Sequence, residues 1–369
     1  MIVQQKTLRT IDDSLPEGKR VLVRVDFNVP LSENGHILDT SRITNHLQTL
    51  EFLKKKKSHI ILLAHLGKPE GKVVPELSFK NILHEIEKLL LTNNIPLQEL
   101  NQYQETRNIT LLENLRFDPG EEANSPQFAQ KLASLGDIYV NDAFSVSHRA
   151  HASTVGIPQY LPCFSGLALN SEFSHLSMIF KKPKHPITLI VGGKKVSDKI
   201  GVLKHLATKV DHILIGGACA NSFYQAQGKD IKNSYSESNM LDMCKRLLAS
   251  YSDKITLPVD FVENDNQNLD IGKQTIQLFS KIISKSKTVI WAGPLGKYEE
   301  ARFNQGNISI LHAVTKTGIT SVIGGGDTIA ALQPESEFQK VSFVSLGGGA
   351  MLEFLEKETL PGLEPLFKM

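Results

Sequence analysis

Short apolar runs that end in glycine clusters recur five times in the second half of the chain, each followed by a segment with helical composition. The runs are Ile187 to Val191 before Gly192-Gly193, Ile213 to Ile215 before Gly216-Gly217, and Val289 to Trp291 before Gly293-Pro294. Val322-Ile323 before Gly324-Gly325-Gly326 and Phe343 to Leu346 before Gly347-Gly348-Gly349 complete the set. A strand that passes through a glycine turn into a helix start leaves unpaired backbone N–H groups facing outward, where the helix dipole favours negative charge. Repeated along one parallel sheet, the pattern predicts a rim suited to polyphosphate. Glycine also permits tight strand-to-helix turns for steric reasons alone, so the recurrence, not any one cluster, carries the reading.

The first half has candidate strands that end in polar and mostly cationic residues instead. Arg20 to Phe27 leads into Asn28, Ile60 to Ala64 into His65-Leu66-Gly67-Lys68, and Ile109 to Leu112 into Glu113-Asn114-Leu115-Arg116. Ile138 to Val140 leads into Asn141-Asp142, with His148-Arg149 soon after. Ligands of open α/β sheets sit beyond the carboxyl ends of the strands. Converging there, these side chains predict a cationic pocket for a small anion, although any one of them alone reads equally as a solvated loop charge.

Alternation of β-like and helix-like segments argues an α/β fold with mainly parallel sheets covered by helices. At 369 residues and 41% hydrophobic content the chain can build two cores. The alternation breaks around Pro158 to Phe164 and restarts at Ile187. The expected division is therefore a first domain over residues 1–164 and a second over 165–355, opening with an interdomain helix over Leu167 to Phe180. Pro361-Gly362 argues against a helix running to the end, and the tail, 356–369, is expected to pack back on the first domain. The 41 basic against 39 acidic residues give no global charge that would mark nucleic acid or an anionic membrane as a partner. Lys54 to Lys57 follows a helical segment and reads as a C-terminal cap. The first residues, Met1 to Lys6, lack a long apolar stretch, no segment has the length of a membrane helix, and Cys163, Cys219 and Cys244 sit outside any CxxC pattern. A cytoplasmic protein with reduced thiols is expected.

The common nucleotide fingerprints are absent. Gly67-Lys68-Pro69-Glu70-Gly71-Lys72-Val73 is one residue short of a P-loop and has Val where Ser or Thr would hold magnesium. No GxGxxG follows an apolar run, which counts against a nicotinamide dehydrogenase, and His148-Arg149-Ala150 lacks the aspartate of a protein-kinase catalytic loop. His148 and His151 lack the partners of a zinc site and read better as anion-binding or structural residues.

RVDFNVP at 24–30, HLGKP at 65–69, LLENLRF at 111–117, and NDAF with HRAH at 141–151 together resemble phosphoglycerate kinase. GGKKVSDKI at 192–200, LPVD at 257–260, DIG at 270–272, GPLGKYE at 293–299, GGGDT at 324–328, GGGA at 347–350 and LPG at 360–362 extend the resemblance over essentially the whole chain. It implies two domains of similar size facing each other across a hinge cleft, a monomer, and reversible transfer of the acyl phosphate of 1,3-bisphosphoglycerate to ADP, with Mg2+, giving 3-phosphoglycerate and ATP. By motif match, Asp26, Phe27, Asn28, Arg42, His65, Leu66, Gly67, Lys68, Arg116, His148 and Arg149 would form the phosphoglycerate site. Lys195, Gly216, Gly217, Glu299, Gly325, Gly326, Asp327 and Thr328 would serve ADP or ATP, with Glu299 on the ribose and Asp327 at the metal. Arg42 and Lys199 would be the catalytic cations.

Such a reaction needs positioned cations and no nucleophilic side chain, because charge in a loose phosphoryl-transfer transition state spreads over the equatorial oxygens. Some positions depart from the family pattern. Lys68 stands for an arginine, Lys194 for a small residue, Ser145 for a glycine, Ala292 for an asparagine and Leu346 for a threonine. Both a working kinase and an attenuated relative that acts through ligand binding are compatible with these residues.

Overall fold

The computed structural model describes residues 6–12, 14–92 and 109–368; Met1 to Gln5, read above for a leader, and Met369 of the tail lie outside them. The chain separates into two compact units, Met1–Ser174 with Thr359–Met369, and His175–Glu358. The division falls inside the helix Leu167–Lys181.

In the first unit, β1 (Arg20–Arg24), β2 (His59–Leu63), β3 (Ile109–Leu111), β4 (Ile138–Asn141) and β5 (Cys163–Ser165) form one parallel sheet in the order β3-β2-β1-β4-β5. Successive residues Val21, Leu22 and Val23 are all fully buried, because helices cover both faces of a parallel sheet and its strands read as continuous apolar runs. The three-residue strand β5 falls where the sequence pattern only breaks, being too short to show a period. Close to it, Arg9 N–H donates to Leu366 O at 2.8 Å, and Gly362 N–H donates to Ser147 O at 2.8 Å, which fastens the tail to this unit.

The second unit has a six-stranded parallel sheet of β6 (Ile187–Val191), β7 (His212–Ile215), β8 (Ile255–Thr256), β11 (Thr288–Ala292), β12 (Thr320–Gly324) and β13 (Phe343–Ser345). A separate antiparallel hairpin joins β9 (Phe261–Asn264) to β10 (Gln267–Ile271). Its two-residue turn, Asp265-Asn266, has φ of 50° and 58°, the conformation that a tight hairpin selects and that Asp and Asn tolerate. The sheet order β13-β12-β11-β6-β7-β8 places the first strand, β6, in the middle. Later strands are added on either side of it, so the order reverses between β6 and β11, the position where open α/β sheets leave a crevice.

All five glycine clusters stand at the carboxyl ends of strands of this sheet, and each contains one residue with positive φ: Gly193 (89°), Gly217 (59°), Gly293 (100°), Gly325 (99°) and Gly348 (51°). The expectation of outward, unpaired N–H groups fails at the three turns around the reversal. Gly192 N–H donates to Ala292 O at 3.0 Å, Gly193 to Pro294 O at 2.6 Å, Gly216 to Val191 O at 2.8 Å and Gly217 to Leu295 O at 3.0 Å. Three backbones meet here too closely for side chains: a Cβ on Gly192 would lie 2.2 Å from Pro294 O, and one on Gly293 would lie 2.2 Å from Gly192 O. The fully buried Trp291 reinforces this weld by donating its Nε1–H to Gly293 O at 2.8 Å. The other two turns are open, since a Cβ on Gly326 or Gly348 would meet nothing within 4 Å.

Gly192→Ala should therefore destabilise the protein by about 1–3 kcal/mol, the usual cost of overpacking, whereas Gly326→Ala should be within about 1 kcal/mol of the parent. Thermal unfolding of both variants checks this; equal melting temperatures would disprove the steric account.

Candidate functional site

Parallel pairing brings the carboxyl ends of β1 to β4 to one edge of the first sheet, and the predicted cationic residues gather there. The main chain leaving β1 and β2 is cross-linked by Asn28, whose Oδ1 accepts from Gly67 N–H at 2.8 Å. Arg116, two percent exposed, donates from Nη1 to Gly67 O at 2.7 Å and places Nε 3.0 Å from the Glu122 carboxylate. Its Nη2 is buried without a hydrogen-bond partner. A buried guanidinium N–H left unpaired is costly. Burial, together with the nearby Arg149 charge, pushes the Arg116 pKa down to about 10, so the side chain remains a cation at neutral pH.

Arg24 is fully buried at the end of β1. Its guanidinium donates to Ser153 Oγ at 2.9 Å, to Leu63 O at 3.3 Å, to Val25 O and, from Nη2, to His65 Nδ1 at 3.1 Å. Glu121, also buried, accepts from Ser153 Oγ at 2.5 Å and from Ser153 N–H at 3.0 Å. Although burial pushes the Glu121 carboxyl up, the neighbouring His151 imidazole, 3.7 Å away, and the Arg24 charge outweigh it and hold the group below its usual range. A guanidinium has no acceptor; His65 Nδ1 must therefore be the unprotonated nitrogen, leaving Nε2–H as the ring's donor. Burial, then the charges of Arg24, Arg116 and Arg149, hold the His65 pKa well below the ordinary histidine value.

Asp26 accepts at Oδ2 from Arg42 Nη1 and from Ser145 Oγ, both at 2.5 Å, and at Oδ1 from Asn28 N–H at 3.1 Å. Ser145 thus occupies the glycine position of the family pattern with a hydroxyl that grips Asp26. Arg149 donates from Nε to His148 Nε2 at 3.3 Å. Phe27 and Leu66 are core side chains, which leaves only their backbone for a ligand, and Lys68 is exposed beside Gly67. Sequence reading missed Arg24, Glu121 and Ser153, although an arginine directly after the apolar run Val21 to Val23 was a visible signal.

In the second unit, Lys195 and Asp327 are exposed at strand ends, as is Glu299, while Lys199 is half-buried. Gly325, Gly326 and Asp327 open the helix Gly326–Leu332, whose first-turn N–H groups have no partner within the helix. Thr328 is fully buried, and its Oγ1 accepts from Gly293 N–H at 2.8 Å. Gly216 and Gly217 belong to the welded turns described above. Tyr298 and Glu237 escaped the sequence reading. Burial, followed by the Asp327 and Glu299 charges, raises the Tyr298 pKa. Glu237 accepts from Ser197 N–H at 2.9 Å and Ser197 Oγ at 2.7 Å, which anchors the loop between Lys195 and Lys199. The Lys194 ammonium lies 5.0 Å from the centroid of the Tyr235 ring.

No group of three or more His, Cys, Asp or Glu gathers as a metal cage among the described residues. One exposed carboxylate, Asp327, suits Mg2+, which commonly takes one or two protein carboxylates and completes its shell with phosphate oxygens and water.

Asp270, two percent exposed, accepts from Gly306 N–H and Ile271 N–H, each at 2.8 Å, yet burial without a cation pushes its pKa up to about 6. Between the unfolded value near 4 and about 6, the folded state holds this proton while the unfolded state has lost it, so rising pH lowers stability through that window. Compared with Asp270→Asn, the parent should lose about 2 kcal/mol between pH 4 and pH 6.5. Urea unfolding of both proteins across that range measures the difference; a pH-independent gap would refute the raised pKa.

A family model described as phosphoglycerate kinase matches residues 11–358. A phosphoglycerate kinase of Finegoldia magna is 40% identical over 389 residues, covering 96% of this chain and 98% of the relative. One of Koribacter versatilis is 41% identical over 396 residues, covering 97% and 98%. The structure of phosphoglycerate kinase from Coxiella burnetii superposes with a TM-score of 0.86 at 36% identity, over 98% of this chain and 99% of that one. The Pyrococcus horikoshii enzyme gives 0.85 at 26% identity, over 97% and 98%.

Proposed function

Because the chain belongs to the phosphoglycerate kinase family, we propose that it catalyses reversible transfer of the acyl phosphate of 1,3-bisphosphoglycerate to ADP, giving 3-phosphoglycerate and ATP. The observation that carries the assignment of sites is the unpaired, buried Nη2 of Arg116 among the cations of the first unit, set against the open glycine turns of the second. On this reading the first unit takes phosphoglycerate. Arg116 and Arg149 meet its charge, and neutral His65 donates from Nε2. Asp26 holds Arg42, whose planar fork of donors suits phosphoryl oxygens.

The second unit takes the nucleotide. Gly325, Gly326 and Asp327 face the phosphates, Glu299 the ribose, and Lys195 and Lys194 add positive charge. Asp327 would hold Mg2+, which, when bound with nucleotide, neutralises phosphate charge. Arg42 and Lys199 stabilise charge on the transferring group, where preorganised cations are worth most. Nothing favours the attenuated relative. No helix of the described residues is long and apolar enough to cross a membrane; a cytoplasmic monomer is the reading that the resemblance carries.

A coupled assay of ATP formation tests the activity. In calorimetry, Arg149→Ala should weaken 3-phosphoglycerate binding about tenfold or more and leave MgADP nearly unchanged, while Asp327→Ala should do the reverse. Equal loss of both ligands in either folded variant would contradict separate sites.

A further inference from the structure

His46 is buried directly before the helix Leu47–Lys55 and has no place in the site as read above. Its Nε2 lies 2.9 Å from Asp26 N, and its Nδ1 lies 2.8 Å from Asp142 Oδ2. A backbone N–H can only donate, so Nε2 must be the acceptor, and the proton of the ring is on Nδ1, directed at Asp142. The geometry thus selects a single tautomer of neutral imidazole.

Asp142 is itself buried and doubly engaged. Its Oδ1 accepts from Ala168 N–H at 2.9 Å and from Leu169 N–H at 3.3 Å, at the start of the helix Leu167–Lys181. Leu167 N–H goes to Thr49 Oγ1 at 2.9 Å. His46 and Thr49, three residues apart and so on one face, thus both serve this junction. Gly166 makes room for it, since a Cβ there would lie 2.1 Å from Asp142 Oδ1. Beyond Asp26 N–H, the Asp26 carboxylate holds Arg42 and Ser145.

We propose that His46 is a positioning residue for the anion site, suspending the Asp26 main chain from Asp142 so that the Asp26 carboxylate presents Arg42 in its working orientation. This rests on the reading of Asp26 and Arg42 as part of the phosphoglycerate site. His46 is buried and acts through Asp26. Its action is to satisfy one buried N–H at the residue whose side chain orders the cation. Without it, that N–H is orphaned and the segment between β1 and Asn28 must shift to find a partner.

The test compares His46→Leu, which removes both hydrogen bonds, with His46→Gln, whose amide can accept from Asp26 and donate to Asp142. Binding of 3-phosphoglycerate and of MgADP is measured by calorimetry on the full chain. His46→Leu should weaken 3-phosphoglycerate about tenfold with MgADP unchanged, and His46→Gln should recover most of the loss. Equal 3-phosphoglycerate affinity in the parent and His46→Leu, or a His46→Gln as impaired as His46→Leu, would overturn the proposal. A parent that does not bind 3-phosphoglycerate would instead bring down the functional reading, a distinguishable outcome. Imidazole 15N shifts of the parent at pH 7 give a check that needs no variant to fold. A neutral Nδ1–H ring is expected, and an Nε2–H or doubly protonated ring would refute the arrangement.

Discussion

Parallel strand pairing puts every carboxyl end of a sheet on the same edge, and both candidate sites depend on that single geometric constraint. In the first unit it collects Asp26, His65, Arg116 and Arg149 from four strand ends that are far apart in sequence. In the second it collects five glycine turns. Antiparallel pairing would have sent alternate ends to opposite edges and dispersed both sets.

Gathering cations has an electrostatic cost, and the first unit shows how it is offset. Arg24 sits fully buried, yet its guanidinium is spread over a serine hydroxyl, two carbonyls and an imidazole, with Glu121 close by. Removing one member of such a network leaves a charge uncompensated in a medium of low dielectric. The same network determines which nitrogen His65 turns outward. Arg116, in contrast, keeps its Nη2 without a hydrogen-bond partner. On the proposed reading, local instability is retained where a bound anion would relieve it, and the neighbouring groups are held in place beforehand, which is what preorganisation requires.

The second unit divides its glycines between two physical purposes. Around the reversal of strand order, Gly192, Gly217 and Gly293 let three backbones approach one another, and their N–H groups are consumed in doing so. At the ends of β12 and β13, Gly326 and Gly348 face open space. The welded turns are closed by their own backbone contacts, and the open ones are the turns assigned to the nucleotide in the proposed function. Asp327, Tyr298 and Glu299 cluster beside the open turn after β12, as their mutual influence on the Tyr298 phenol shows.

The alternation of apolar runs and helical segments was enough to read two parallel-sheet α/β units, because strands buried on both faces are apolar at most positions and turns with φ near 90–100°, as at Gly193, Gly293 and Gly325, favour glycine. The order of the motifs identified the family for the same local reason. Other features were out of reach. The sequence shows that Gly192 and Gly326 are glycines, but not that Pro294, distant in sequence, stands over the first while nothing stands over the second. His46 carried no signal at all, since Asp26 and Asp142 lie twenty and ninety-six residues away. Even the Asp265-Asn266 hairpin, legible in its turn residues, has a place only through its pairing. Local sequence determines which backbone conformations and burial patterns are allowed; partners of hydrogen bonds, tautomers and free surfaces are decided by long-range packing, because they depend on which distant atoms come within about 3 Å.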